Sequence, residues 1–420
     1  MKTFKTIILA AGKGVRMKSD LPKVLHPVCG KPIIEYVLDI AKSLGSLKIY
    51  VVLGHKSEAV RKYLRRDVVV VIQKKLLGTA DAVKSAQHYF RGDKNDVLIL
   101  SGDTPLLNKE TIQSLLKRHR ETKAACTFLT ADVCNPQGYG RIIRSESGSV
   151  VAIREEMDTM AEEKEINEIN VGAYCFRSTN LFQTIKEIKA NEKKKEFYLT
   201  DIIGLLVDQG ALIETVKTND FKEGLGINTR EDLAFAQSVL RRRILKNLML
   251  QGVTIEDPDT TYIDSDVRIG RDTTIRPFTV IEEDVHIGDR CVIGPFCRIR
   301  PHSRIGNGIV LGNFTEVSRS TIGDETFMKH FSFLGDAIVG RRVNIGAGVV
   351  TANFDGKRKN ITKILDGAFV GSDSILVAPV KIGKKATTGA GCVVTKGTTI
   401  PDGGVVVGVP ARIQSRRKSI

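Results

Sequence analysis

From residue 263 an aliphatic side chain returns at every sixth position: Ile263, Ile269, Ile275, Ile281, Ile287, Ile293, Ile299, Ile305, Leu311 and Val317. All ten positions are filled, where a chain that is 42% hydrophobic would fill about four by chance. Neither a helix, with about 3.6 residues per turn, nor a single strand, with a period of about two, produces this spacing. Glycine follows many of the aliphatics, at Gly270, Gly288, Gly294, Gly306 and Gly312. A six-residue period of this kind marks a hexapeptide solenoid, in which three hexads close one triangular coil around its aliphatic side chains. The register slips once after Val317, resumes at Val339 and Ile345, and runs again through Ile364, Val370, Leu376, Ile382, Thr388, Val394 and Ile400. The insert between these runs, residues 351–362, is expected to loop out on the binding face.

Before residue 252 the pattern is of another kind. A continuous apolar run at 6–11 is followed by a glycine turn and by helical spacing over 33–44. Strand-like runs at 49–54, 68–73 and 97–102 alternate with helical stretches at 57–64, 79–90 and 109–122. Alternation of β and α predicts a mostly parallel sheet with helices on both faces. Ligands then belong at the carboxyl ends of the strands. Residues 1–229 form one such Rossmann-like α/β domain. In 229–251, Thr229 can cap a helix with Asp232 in its first turn, and Leu233, Ala236, Leu240, Ile244 and Leu248 recur at helical spacing. Gly252 is a natural stop. The expected organisation is therefore an α/β domain at 1–229, a linker helix at 230–251, and a left-handed parallel β-helix of hexapeptide repeats at 252–420.

A net charge of +16 and a pI near 9.5 raise the possibility of a nucleic-acid partner. The basic residues are spread along the chain, aromatics are only 6%, and no reader motif occurs. The charge is read instead as a solvated surface with pockets for phosphorylated ligands, and no nucleic-acid partner is expected. The basic tail, 412–418, reads as a frayed end. Seven cysteines without a CxxC pair point to a reduced, intracellular protein. Cys291 and Cys297, one hexad apart, are expected at equivalent places on two faces. The apolar run at 7–11 stops at Gly12-Lys13-Gly14, too short for a secretory leader, and no stretch is long enough for a membrane span. A cytoplasmic location follows.

The first loop reads Leu9-Ala10-Ala11-Gly12-Lys13-Gly14-Val15-Arg16-Met17, then Leu21-Pro22-Lys23. It is neither a Walker loop nor a GxGxxG loop. Small residues after a strand let backbone N–H groups approach phosphate oxygens, and Lys13, Arg16 and Lys23 supply three cations. Taken alone, the loop is equally an ordinary turn with solvated charges.

LxxGxGxRM followed by LPK is the signature of sugar-nucleotide pyrophosphorylases. Its continuation, LPKVLHPVCGKPIIEYVL, resembles the bifunctional GlmU family, in which an N-acetylglucosamine-1-phosphate uridylyltransferase is joined to a glucosamine-1-phosphate acetyltransferase. The resemblance extends through Gln73 with Leu77-Gly78-Thr79-Ala80, Ser101-Gly102-Asp103-Thr104-Pro105-Leu106, Gly138-Tyr139-Gly140-Arg141, Glu168-Ile169-Asn170, Tyr198-Leu199-Thr200-Asp201 and Gly226-Ile227-Asn228. It implies that Leu9, Ala10, Ala11, Gly12, Gln73, Gly78 and Thr79 cradle the nucleotide of UTP, with Gln73 and Gly78 reading uracil. Ser101 and Gly102 complete that strand end. Arg16 and Lys23 neutralise the triphosphate, Asp103 and Asn228 hold Mg²⁺, and Gly140, Glu155, Asn170 and Tyr198 surround the sugar of N-acetylglucosamine 1-phosphate. Phosphoryl transfer between two anions needs charge neutralisation and in-line placement, which this set of residues can supply.

For the solenoid, the resemblance implies a homotrimer that binds acetyl-CoA between neighbouring prisms. His330 matches a general base, a role that suits imidazole near neutral pH. Arg300, Ser318, Phe333, Asn344, Asn353, Phe354, Lys359, Ala347, Ser372 and Ala390 match the contacts to glucosamine 1-phosphate and acetyl-CoA. The family carries lysine at the place of Ser318 and tyrosine at those of Phe333 and Phe354, so a weaker grip on the acceptor phosphate is expected. The alternative is a sugar-1-phosphate nucleotidyltransferase of other sugar or nucleotide specificity, whose β-helix only trimerises.

Overall fold

The computed structural model describes residues 4–192 and 194–414. Two compact units divide the chain, residues 1–237 and 238–420. The division falls inside a helix rather than at its ends, at 229 or 252. The part of the expected basic tail beyond residue 414 lies outside the described residues.

In the first unit, β1 (Phe4–Ala10), β2 (Ile49–Leu53), β3 (Val68–Ile72) and β4 (Asp96–Ser101) are parallel, with α1 (Ile33–Ser43), α2 (Ser57–Tyr63), α3 (Thr79–Ser85) and α4 (Lys109–Thr122) between or after them. Then follow β5 (Cys126–Asp132), the hairpin β6 (Arg141–Arg144) and β7 (Val150–Arg154), β8 (Glu168–Arg177), α5 (Ser178–Thr184), α6 (Asp201–Asp208) and β9 (Ile213–Lys217). The sheet order is β9-β5-β8-β4-β1-β2-β3. Only β8 on this path runs against its neighbours. Both faces of the sheet are covered, as a parallel sheet demands. Ile7 faces one apolar layer with Tyr50 and Ile99, while Phe4 and Ile8 face the other with Val51 and Leu98. The expected helix at 79–90 ends at Ser85 and continues as a 3₁₀ turn, Gln87–Phe90.

Helix α7 (Arg230–Leu250) begins with the expected cap. The Thr229 N–H donates to the Asp232 carboxylate, and the Asp232 N–H donates to the Thr229 hydroxyl, a reciprocal pair that satisfies two otherwise orphaned donors. Gly252 follows the helix with φ of 96°. Leu245 and Leu248, near the end of α7, pack into the solenoid core beside Val253 and Ile255.

The second unit is the expected left-handed parallel β-helix. Among the described residues its strands stack into three sheets of ten, eight and eight strands, beginning at Thr254–Ile255, Tyr262–Ile263 and Arg268–Ile269. Each successive strand pairs in parallel with the one a coil earlier, except the last, Arg412–Ile413, which turns back antiparallel. The hexad positions point inward and are buried from Ile263 to Val406. Cys291 and Cys297 hold equivalent buried places just before strands on two different sheets.

The register departs from the sequence expectation. It slips twice, by one residue each time, between Val317 and Ile322 and between Leu334 and Val339. Both slips fall at the corner between the second and third sheets. The insert leaves from that same corner one coil later, between Val350–Ala352 and Thr362–Ile364. Shortening a corner leaves the inward side chains in register, so the aliphatic count alone could not separate one slip from two.

Candidate active sites

At the carboxyl ends of β1 and β4 lies a cavity of about 440 Å³. Leu9, Ala10, Ala11, Gly12, Lys23, Gln73, Gly78, Thr79, Ser101, Asp103 and Tyr198 line it, together with Lys13, Val24, Leu76, Ala82 and Glu196. The chain reaches this geometry because β1 ends in alanines, whose small side chains leave the strand end open. Gly102 donates its N–H to the Leu9 carbonyl, locking the ends of β1 and β4 together. Arg16 sits on a 3₁₀ turn, Val15–Met17, with its side chain exposed and outside the cavity lining.

Gln73 is buried, and both of its amide donations are committed. Its Nε2 donates to the Gly78 carbonyl at 3.0 Å and to the Asp81 carboxylate at 2.8 Å. These acceptors fix the amide orientation and leave Oε1 as an acceptor at the cavity. Gly78 adopts φ of 103°, and a Cβ there would lie 2.5 Å from the Phe197 carbonyl oxygen, so only glycine fits. The Thr79 hydroxyl accepts from the Leu199 N–H at 2.9 Å, which ties α3 to the segment carrying Tyr198.

Asp103 and Asn228 are brought together across the sheet mouth. The Ile227 N–H donates to the Asp103 carbonyl, and Asn228 Nδ2 donates to the Gly226 carbonyl at 3.2 Å. That second bond turns Asn228 Oδ1 toward Asp103. The Lys23 ammonium bridges the two, 2.5 Å from Asp103 Oδ2 and 3.0 Å from Asn228 Oδ1. One carboxylate and one amide oxygen converging on a cation is a donor set that fits Mg²⁺, which uses few protein oxygens.

The remaining sugar candidates form a neighbouring group. Asn170 donates to the Tyr174 hydroxyl at 2.6 Å and accepts from the Gly172 N–H, beside a bulge in β8. Its backbone N–H donates to the Gly140 carbonyl. The Thr200 hydroxyl donates to Glu155 at 2.8 Å. Burial raises the Glu155 carboxyl above its ordinary range, and burial with Glu155 and Asp158 nearby raises Asp201 to about 6. Burial and the surrounding carboxylates push the Tyr198 hydroxyl up to about 12, so it remains a donor at neutral pH. Asp81 and Tyr174 escaped the sequence reading, and Thr200 stood in a motif without a role of its own. Each acts by holding another side chain, and such roles have no spacing signature.

On the solenoid the candidates occupy two corners. His330, exposed, lies at the corner between the first and second sheets. Ala347, Ser372 and Ala390 stack along that corner in successive coils, with the Asp373 N–H on the Ala347 carbonyl and the Gly391 N–H on the Ser372 carbonyl. Backbones approach closely here: a Cβ on Gly371 would lie 2.5 Å from the Thr388 carbonyl oxygen. Asn344 faces outward on the first sheet and Phe333 on the second. Arg300 follows its strand and donates to Glu316 at 3.1 Å.

At the corner between the second and third sheets, Asp336 holds Arg319 through both carboxylate oxygens, at 2.7 and 2.9 Å, and accepts from Asn353 Nδ2 at 2.5 Å. The Arg319 guanidinium keeps the Asp336 carboxyl below its ordinary range, aided by Asn353 and Lys359. Phe354 and Lys359 pair across the insert as an isolated antiparallel bridge. Ser318 lies beneath this corner, fully buried, and its hydroxyl has no hydrogen-bond partner among the described residues. Arg319 and Asp336 were missed because each sits where the hexad register slips.

No helix among the described residues is long and apolar enough to cross a membrane. The model of the MobA-like NTP transferase domain matches residues 6–199, and the model of bacterial transferase hexapeptide repeats matches 266–301 and 284–319. The chain is 44% identical over 423 residues to the bifunctional protein GlmU of Bacillus velezensis, covering 93% of each chain. Against that of Bacillus subtilis it is 43% identical, again over 93% of each. Against that of Acetivibrio thermocellus it is 42% identical, over 94% of this chain and 93% of the relative. With such identity along nearly the full length of both partners, the chain belongs to the bifunctional GlmU family.

Proposed function

We propose that the first unit transfers the uridylyl group of UTP to N-acetylglucosamine 1-phosphate, and that the β-helix acetylates glucosamine 1-phosphate from acetyl-CoA. The observation that supports the reading is one cavity lined by the oriented Gln73 amide together with Lys23 and Asp103, which meet Asn228 at its edge. Gln73 Oε1 can accept from the N3–H of uracil, whereas cytosine presents an acceptor at that position. Lys23 and Arg16 answer the triphosphate charge. Glu155, Asn170 and Tyr198 offer acceptors and a donor to the sugar hydroxyls, and Gly140 leaves room for the ring. A phosphate oxygen of the sugar attacks the α-phosphorus, the bond to the β-phosphate bridging oxygen breaks, and pyrophosphate leaves. Asp103 and Asn228 would hold Mg²⁺, which when bound neutralises phosphate oxygens. The protein's own part is to align attacking and leaving oxygens and to screen their charge.

In the β-helix, His330 takes a proton from the sugar amine as its nitrogen attacks the thioester carbonyl, and the thiolate of coenzyme A departs. Ala347, Ser372 and Ala390 give the coenzyme a ridge of small residues. Arg300, Lys359, Asn353 and their neighbours face the acceptor. His330 and the Asn353–Lys359 group lie at different corners of one prism. A homotrimer in which neighbouring prisms complete each site accounts for this separation. A cytoplasmic setting supplies all four substrates.

The test is a product assay with UTP, Mg²⁺ and each sugar phosphate, with and without acetyl-CoA. UDP-N-acetylglucosamine should form from N-acetylglucosamine 1-phosphate without acetyl-CoA. It should form from glucosamine 1-phosphate only when acetyl-CoA is present. Equal use of CTP or of glucose 1-phosphate would defeat the reading.

A further inference from the structure

The ammonium of Lys23 stands at the point on which Asp103 Oδ2 and Asn228 Oδ1 converge. Nothing in this arrangement is loose. Lys23 follows Pro22 on a short 3₁₀ turn, and its side chain is only 14% exposed. Asp103 and Asn228 are joined through the Ile227 N–H on the Asp103 carbonyl, and the Asn228 amide is oriented by the Gly226 carbonyl. The two oxygens are thus aimed in advance at one cation, and a residue of the chain provides it.

A single carboxylate with one amide oxygen is a weak seat for a divalent cation, and an ammonium at hydrogen-bond distance neutralises its only charge. A second cation placed there would also be repelled by the first. Lys23 lines the nucleotide cavity as well as touching Asp103, so phosphates bound in that cavity give the ammonium another anion to pair with. We propose that Lys23 keeps the divalent cation out of the free enzyme, and that the metal enters with the nucleotide as the ammonium passes from carboxylate to phosphate. The proposal rests on the assignment of Asp103 and Asn228 as metal ligands. Metal and nucleotide then raise each other's affinity by one common factor, as linkage requires.

The test needs no turnover. Mn²⁺ is titrated into the full-length protein without nucleotide or sugar, and free metal is read by electron paramagnetic resonance. Wild type should bind weakly at this site. Lys23→Met, which keeps the length of the side chain and removes its charge, should bind one Mn²⁺ about tenfold more tightly or better. Adding Asp103→Asn to that variant should abolish the gain. If Lys23→Met fails a circular dichroism check of folding, Lys23→Gln takes its place. Equal Mn²⁺ affinity in wild type and the uncharged variant would overturn the lysine's role. A gain that survives Asp103→Asn would instead overturn the ligand assignment, so the two failures are distinguishable.

Discussion

Gln73→Glu changes one NH₂ into an oxygen and leaves shape and volume almost untouched. Gln73 is 4% exposed, and its two amide hydrogens go to the Gly78 carbonyl and the Asp81 carboxylate. A hydrogen bond to a charged group contributes about 1.5–3 kcal/mol, and one between neutral groups about 0.5–1.5 kcal/mol. The glutamate presents acceptors to both partners, so both bonds are lost and a carboxylate faces a carboxylate. With both bonds lost the deficit is about 2–4 kcal/mol at neutral pH, and taking up a proton at lower pH restores one of them. At about 1.4 kcal/mol per decade, KM for UTP should rise between roughly thirtyfold and a thousandfold. The kcat should change less, because the phosphates are assigned to Lys23 and Asp103 rather than to Gln73. Pyrophosphate release measured against UTP concentration at pH 6 and pH 8 gives the answer. The ratio of variant to wild-type KM should shrink toward pH 6, where the protonated acid can donate again. A KM within threefold of wild type at pH 8, or a ratio that ignores pH, would refute the argument that this amide is oriented for base reading.

Three further outcomes are expected. A fragment ending at residue 250 should retain uridylyl transfer, whereas one ending at 229 should lose about tenfold or more at equal circular dichroism signal. The shorter fragment lacks Arg230, which donates to the Met17 carbonyl, and Asp232, which accepts from the Asn228 N–H; equal activity would disprove this. Asp264, raised to about 7 by burial and then by Glu283, Asp266 and Glu282, favours folding in its protonated form. Its contribution is complete below the unfolded value near 3.8 and is lost as pH rises through about 7, so Asp264→Asn should flatten the fall in solenoid Tm between pH 4 and 7; an unchanged slope counts against the assignment. Asp336→Ala should raise KM for glucosamine 1-phosphate about tenfold by releasing Arg319 and Asn353, with uridylyl transfer unaffected. An unmoved KM would mean that this clamp does not shape the acceptor site.

Much of the architecture is written in periodicity. The hexads follow from ten aliphatics in ten positions, and the parallel strands β1, β2 and β4 read as apolar runs because both of their faces are buried, while the edge strand β3 is half-buried. The cap of α7 is visible in Thr229 and Asp232, since a capping box depends on neighbours three residues apart. The antiparallel course of β8 was not visible, because strand direction is set by partners far away in sequence. The bridge from Lys23 to Asn228 spans 205 residues and leaves no local mark. The Arg319–Asp336 pair was hidden for another reason: it appears only once the register is known to slip on both sides of it. Ser318, expected at the acceptor, lies fully buried within its own chain, which no hexad spacing foretells.

The irregular corner of the solenoid gives the chain room to vary without disturbing its core. Most of the chain is bound to a fixed pitch, because every strand must meet the one a coil away and every inward side chain must fill the same triangular section. At one corner the chain spends a residue fewer in two successive coils, then takes thirteen positions rather than six between Thr351 and Ile364. The inward sequence Leu334, Val339, Ile345, Thr351, Ile364 stays buried throughout. Length at this edge is therefore uncoupled from packing. Insertions and deletions there alter what the surface offers a ligand while leaving the stack intact, whereas the same changes in a face would dislocate every coil beyond them. The fold behaves as a rigid ruler with one adjustable stop, and descent can reshape the surface at that corner by moving the stop alone.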